Sequence, residues 1–163
     1  MRYPRLPLAL VPLATLVVMA AASPAAFAQN GADAGARRWA PWAGCWTSDV
    51  RAPSEPEVTR CVIPSTDGAG ARMVTLSGEA VVLDETLRAG GQPESMQQEA
   101  CSGQRTARWA RTGPRLFITS TLSCAGQPAV NTSGVSALVD ANTWLDVQVA
   151  RVEGVERVRT RRF

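Results

Sequence analysis

Turn-forming pairs recur about every ten residues along most of this chain, and that rhythm limits the folds open to it. They fall at Asp67-Gly68, Ser77-Gly78, Gly90-Gly91, Ser102-Gly103, Thr112-Gly113-Pro114, Ala125-Gly126, Asp140-Ala141-Asn142 and Glu153-Gly154. Segments this short suit strands joined by hairpins and leave little room for helices. The residues between the turns agree, being rich in Val and Thr. The rhythm predicts strands over 43–50, 57–64, 71–77, 79–88, 95–101, 104–111, 115–124, 133–140, 143–152 and 155–162. Along them, alternation sorts the side chains onto two faces. Leu116, Ile118, Ser120 and Leu122 share one face; Leu145, Val147 and Val149 oppose Asp146 and Gln148; Val81, Leu83 and Leu87 alternate with Val82, Asp84 and Thr86. Strands joined by tight turns are antiparallel. The expected fold is one all-β domain over 39–163, an antiparallel meander β-barrel of about 8–10 strands, because closure removes exposed edges. A two-sheet β-sandwich is the alternative.

The first 28 residues read as an export signal. Arg2 and Arg5 precede an apolar run from Leu6 to Ala22, and Ala26-Phe27-Ala28 is a small-x-small processing site. The run is short for a membrane span and is broken by Pro7 and Pro12. The two arginines are not adjacent, so a twin-arginine route lacks its motif. Residues 29–38 carry no apolar periodicity and are expected to form a flexible leader. Location is therefore expected to be periplasmic or extracellular, with no membrane span after processing. The formal charge of +3 loses Arg2 and Arg5 with the signal and falls toward neutrality. That balance points away from nucleic acid.

Cys45, Cys61, Cys101 and Cys124 all follow the signal, and an even count in an exported chain reads as two disulfides. Three connectivities are open. Cys45–Cys61 and Cys101–Cys124 are favoured because each pair sits on neighbouring expected strands. A four-cysteine zinc site ordinarily shows close-set pairs, which this chain lacks. No metal or cofactor is expected.

The chain has 17 positive charges, all of them Arg, and no His. An imidazole base is thus missing from any Ser or Cys nucleophile, and a Schiff-base or P-loop lysine is missing too. Carboxylates are what remains for catalysis. Asp84 and Glu85 point to opposite faces of one strand, and Asp146 stands alone. A non-enzymatic role is expected. Arg105, Arg108 and Arg111 read as solvated charges at strand ends and on the outer face, since every surface cation here must be Arg. Trp109 is expected to point inward with Ala107, and Trp144 suits either the rim or the core. Asn131-Thr132-Ser133 reads as a turn.

Ala43-Gly44-Cys45-Trp46 carries a resemblance. It is similar to the G-x-W at the start of the first barrel strand in lipocalins and their relatives. Small disulfide-bonded barrels that inhibit secreted metalloproteases in bacteria begin with a comparable A-G-x-W stretch. The lipocalin resemblance implies that Trp46 plugs one barrel end and that an arginine of the last strand packs across its ring. Val158, Thr160 and Arg162 share a face of that strand, which predicts Arg162 inward and Arg161 outward. Trp39-Ala40-Pro41-Trp42 would form the turn that closes the barrel.

These readings predict a monomeric binding protein. A small apolar or amphipathic ligand would lie among Leu76, Leu83, Trp109, Leu116 and Val147. The alternatives are a protein-interaction module, such as an inhibitor of a secreted protease, and a structural envelope protein without a ligand.

Overall fold

The structure is a computed structural model, and it describes residues 34–49, 57–98 and 100–163. The expected signal and the start of the leader lie outside the described residues. Residues 34–39 are helical and run into a 3-10 turn, Ala40–Trp42. Ten strands follow: β1 (Gly44–Thr47), β2 (Val58–Pro64), β3 (Gly70–Ser77), β4 (Ala80–Arg88), β5 (Gly90–Gln98), β6 (Cys101–Trp109), β7 (Arg115–Cys124), β8 (Val130–Asp140), β9 (Thr143–Val152) and β10 (Val155–Arg162). Each pairs antiparallel with its sequence neighbours within its sheet, as tight turns require. The tip between β9 and β10 has Glu153 at φ 48° and Gly154 at φ 83°, the left-handed pair of a type I′ hairpin.

The ladder does not close on itself. β1 to β4 form a four-stranded sheet and β5 to β10 a six-stranded one, so two facing sheets describe the molecule as well as a barrel does. The chain passes between them through the buried Ala89, where β4 bends into β5. At the other seam, four-residue β1 is too short to pair along β10. Among the described residues a backbone hydrogen bond from Asp49 N–H to the Arg162 carbonyl (3.0 Å) joins the sheets there.

Three segments read as turns are strand. Gly90-Gly91 opens β5, and Asn131-Thr132-Ser133 lies inside β8, paired with Arg151, Ala150 and Val149. Ser102-Gly103 is also strand, and Gly103 opposes Leu122. The turn rhythm located the hairpins because most Gly pairs sit at tips. A Gly inside a strand gives the same signal, and here it marks a bend or a close approach.

Both disulfides join residues that face each other across a ladder. Cys45 opposes Cys61 at a Cα separation of 3.9 Å, and Cys101 opposes Cys124 at 4.1 Å. The pairing expected from neighbouring strands is the pairing observed. In the chain-entropy account each loop of this size contributes about 3 kcal/mol. Disulfides of this kind are compatible with an oxidising compartment. Among the described residues no helix is long and apolar enough to cross a membrane.

The core draws on both sheets: Val58, Val62, Ala71 and Leu87 from the first meet Ala107, Leu116 and Trp144 from the second. All five tryptophans gather at one end. Trp39 stands edge-on to Trp109 at 4.8 Å, Trp42 to Trp144 at 5.3 Å, and Trp144 packs on Phe163 at 5.0 Å. The 3-10 turn carries Trp39 and Trp42 into this cluster, and both are buried. Such ring pairs add to stability beyond the area they bury. The cluster plugs one end of the space between the sheets.

Candidate functional site

Above the tryptophan plug, the space between the sheets is a cavity of about 360 Å³. Strand alternation decides what lines it. β7 contributes Ile118, Ser120 and Leu122, and β8 contributes Val130, Thr132, Gly134 and Ser136. Gly134 lets β8 approach β9 closely, since a Cβ there would come within 2.8 Å of the Val147 carbonyl oxygen. The facing sheet supplies Arg60 from β2, Met73 and Thr75 from β3, and Leu83, Glu85 and Leu87 from β4. Arg105 and Asp146 complete the charged part of the lining. An apolar surface is thus interrupted by a few polar groups, the usual make-up of a small-molecule pocket.

Those polar groups form two knots, each crossing between the sheets. In the first, buried Asp146 accepts hydrogen bonds from the Ser136 hydroxyl (2.6 Å), Gln148 Nε2 (3.0 Å) and Arg60 Nη1 (3.4 Å). The Arg60 guanidinium also lies 5.3 Å from the ring centres of Trp144 and Phe163, an attractive cation–π position. In the second, Arg105 donates to Glu85 and to the Thr86 carbonyl (2.7 Å), and its Nη2 is 3.6 Å from Glu94. Buried ions demand such partners, because removing a charge from water is expensive unless it is paired. Two polar atoms here are unpaired among the described residues: Thr75 Oγ1 and Arg105 Nε.

The residues singled out from sequence are dispersed. Leu83 lines the cavity. Trp109 and Leu116 belong to the core cluster at the plugged end instead. Leu76 follows a β-bulge between Thr75 and Leu76, and Thr75 takes the cavity-facing position. Val147 lies on the outer face of β9, because Asp146 and Gln148 take the inner one. Gly44 opens β1, and Trp46 is half-buried, its indole N–H donating to the Trp42 carbonyl at 2.9 Å. Arg162 is on the outer face, 3.4 Å from Asp49. Arg161 faces inward instead and lines a small cleft with Arg60, Asp146 and Gln148. The position over an aromatic ring that was expected of Arg162 is held by Arg60.

Arg105 corrects the reading of its cluster as solvated charge, since it is 8% exposed. Sequence did contain the signal: Arg105, Ala107 and Trp109 share one parity on β6. Arg108 does face outward, 4.9 Å over the Phe117 ring. Asp84 and Glu85 diverge as expected. Asp84 pairs outside with Arg72, whose hydrogen bond holds the Asp84 carboxyl below its ordinary value, while Glu85 turns in to Arg105. Among the described residues no group of His, Cys, Asp and Glu could hold a metal ion.

Compared with protein-family models and with curated proteins, the chain shows no match.

Proposed function

We propose that this chain is an exported, non-enzymatic binding protein that holds a small amphipathic molecule between its sheets, in the manner of a lipocalin-like barrel. The observation that carries this reading is the cavity of about 360 Å³, set above a dense aromatic plug. A water molecule's share of liquid volume is roughly 30 Å³, so the space suits a ligand of about a dozen heavy atoms. Barrel-like behaviour is supported by the next-neighbour antiparallel pairing within each sheet and by the backbone bond between Asp49 and Arg162 at the open seam.

Native mass spectrometry of the protein exported to a bacterial periplasm tests this. Extra mass that is lost on denaturation supports a captive ligand. A bare native mass that persists after incubation with small amphiphiles counts against it. The denatured mass also reports processing after Ala28.

A second reading, a protein-interaction module such as a protease inhibitor, has one observation in its favour. The outer face of β7 to β10 carries an apolar strip, with Phe117, Val135 and Val147 in one cross-strand row and Val149 beside the exposed Val158 in the next. Contiguous apolar surface of this kind suits a protein partner.

A further inference from the structure

We infer that the cavity selects an uncharged amphiphile whose polar end is a hydroxyl or carbonyl oxygen, received by Thr75 and Arg105. This rests on the cavity reading above and narrows it to a ligand class. Thr75 is 6% exposed and Arg105 8%, and both line the cavity. Among the described residues Thr75 Oγ1 and Arg105 Nε have no hydrogen-bond partner. Buried polar groups are ordinarily satisfied, so these two define what a guest must bring. An Arg Nε–H can only donate, whereas a Thr hydroxyl donates or accepts. An oxygen with free lone pairs answers either atom.

The surrounding charge decides which oxygen. Arg105 already pairs with Glu85 and lies 3.6 Å from Glu94. Glu94 is shared with Arg88 at 3.9 Å, and Arg88 with Asp67 at 3.6 Å. Two guanidinium groups therefore meet three carboxylates, and this network has no spare positive charge. Across the cavity, Arg60 is committed to Asp146, with Arg159 and Arg161 in the cleft beyond them. A carboxylate entering beside Arg105 would lose its hydration and face Glu85 and Glu94. A neutral alcohol or carbonyl would satisfy the same donors without that penalty.

Calorimetric titration of the disulfide-bonded protein with 1-octanol, octanoate and octylammonium at pH 7 separates the cases. The expected result is octanol binding at least about tenfold more tightly than either ion, the size of a hydrogen-bonded pairing kept or left unmade. Equal or tighter octanoate or octylammonium binding would overturn the neutral-ligand inference and leave the cavity reading standing. Binding of none of the three would overturn both. Thr75→Val, which keeps the shape and removes the hydroxyl, should weaken octanol about three- to tenfold without lowering Tm. Thr75→Ser should retain the affinity within about twofold, because it retains the hydroxyl. Unchanged octanol affinity in Thr75→Val, or an equal loss in Thr75→Ser, would overturn the role given to Thr75.

Discussion

Arg60 and Asp146 occupy inward positions where a small β domain ordinarily has aliphatic side chains, and each depends on the other. Their side chains are 16% and 6% exposed, so solvent does little to replace a lost partner. Arg60→Met should therefore cost about 3–5 kcal/mol, because it leaves the Asp146 carboxylate buried without its cation. Adding Asp146→Leu should recover most of that loss, since two apolar residues demand no partner. A double-mutant cycle in urea reads the coupling; losses that simply add would mean the pair is not coupled. Asp84 is the contrasting case, an exposed carboxylate with a cation beside it. Its hydrogen bond from Arg72 lowers its pKa from the ordinary 3.8. A lowered folded-state value means that its contribution is complete above 3.8 and is lost as pH falls through the folded value. The stability gap between the wild type and Asp84→Asn should thus be constant above about pH 5 and shrink in acid. Urea midpoints across that range would show it, and a gap that widens in acid would contradict the sign. Sequence gave access to these roles unevenly. The parity of Arg105 with Ala107 was readable, but Arg60 and Asp146 become partners only when the two sheets meet, 86 residues apart in the chain.

At the scale of the strand, existence and order were legible and the inward side often was not. Ten expected strands correspond to ten observed, because tight turns force neighbouring segments to pair. Cys45 and Cys61 fall on neighbouring strands in that order, whereas Cys101, expected to end the fifth strand, becomes the neighbour of Cys124 because the turn precedes it and it opens β6. The faces of β9 and β10 depended on the assumption that apolar residues point inward. Here Val147 and Val149 lie outside while Asp146 and Gln148 line the cavity, and Val158 is 68% exposed. The pattern was correctly periodic, but a polar interior exchanges the meaning of its two faces. The same exchange places Arg162 outside. Its ion pair with Asp49 joins side chains that are 56% and 51% exposed. Solvent-exposed pairs contribute about 0–1 kcal/mol, so Arg162→Ala should cost no more than that. A chemical-denaturation loss well above that range would mean that Arg162 carries packing across the seam between β1 and β10.

For the molecule as a whole, the division of the interior into a plug and a cavity is what links stability to function. The aromatic cluster gathers every tryptophan at one end, so the other end can remain open without leaving the domain short of a core. Sequence placed Leu116, Ile118, Ser120 and Leu122 on one face of a strand, but not whether side chains from the facing sheet fill the room beside Ser120. A volume change tests the difference. Ser120 faces the cavity from the middle of β7. In a filled core, adding the bulk of leucine there would force off-rotamer neighbours at a cost of about 1–3 kcal/mol. Over a real cavity the added methyl groups gain contacts and lose water, so Ser120→Leu should be neutral or stabilising. The same substitution takes up space the proposed ligand needs, so octanol affinity should fall at least about tenfold, equivalent to roughly 1.4 kcal/mol. Stability and affinity moving in opposite directions in one variant is the mark of an open interior. A variant that loses both would show instead that the interior is already filled, and the weight would then pass to the apolar strip on the outer face of β7 to β10.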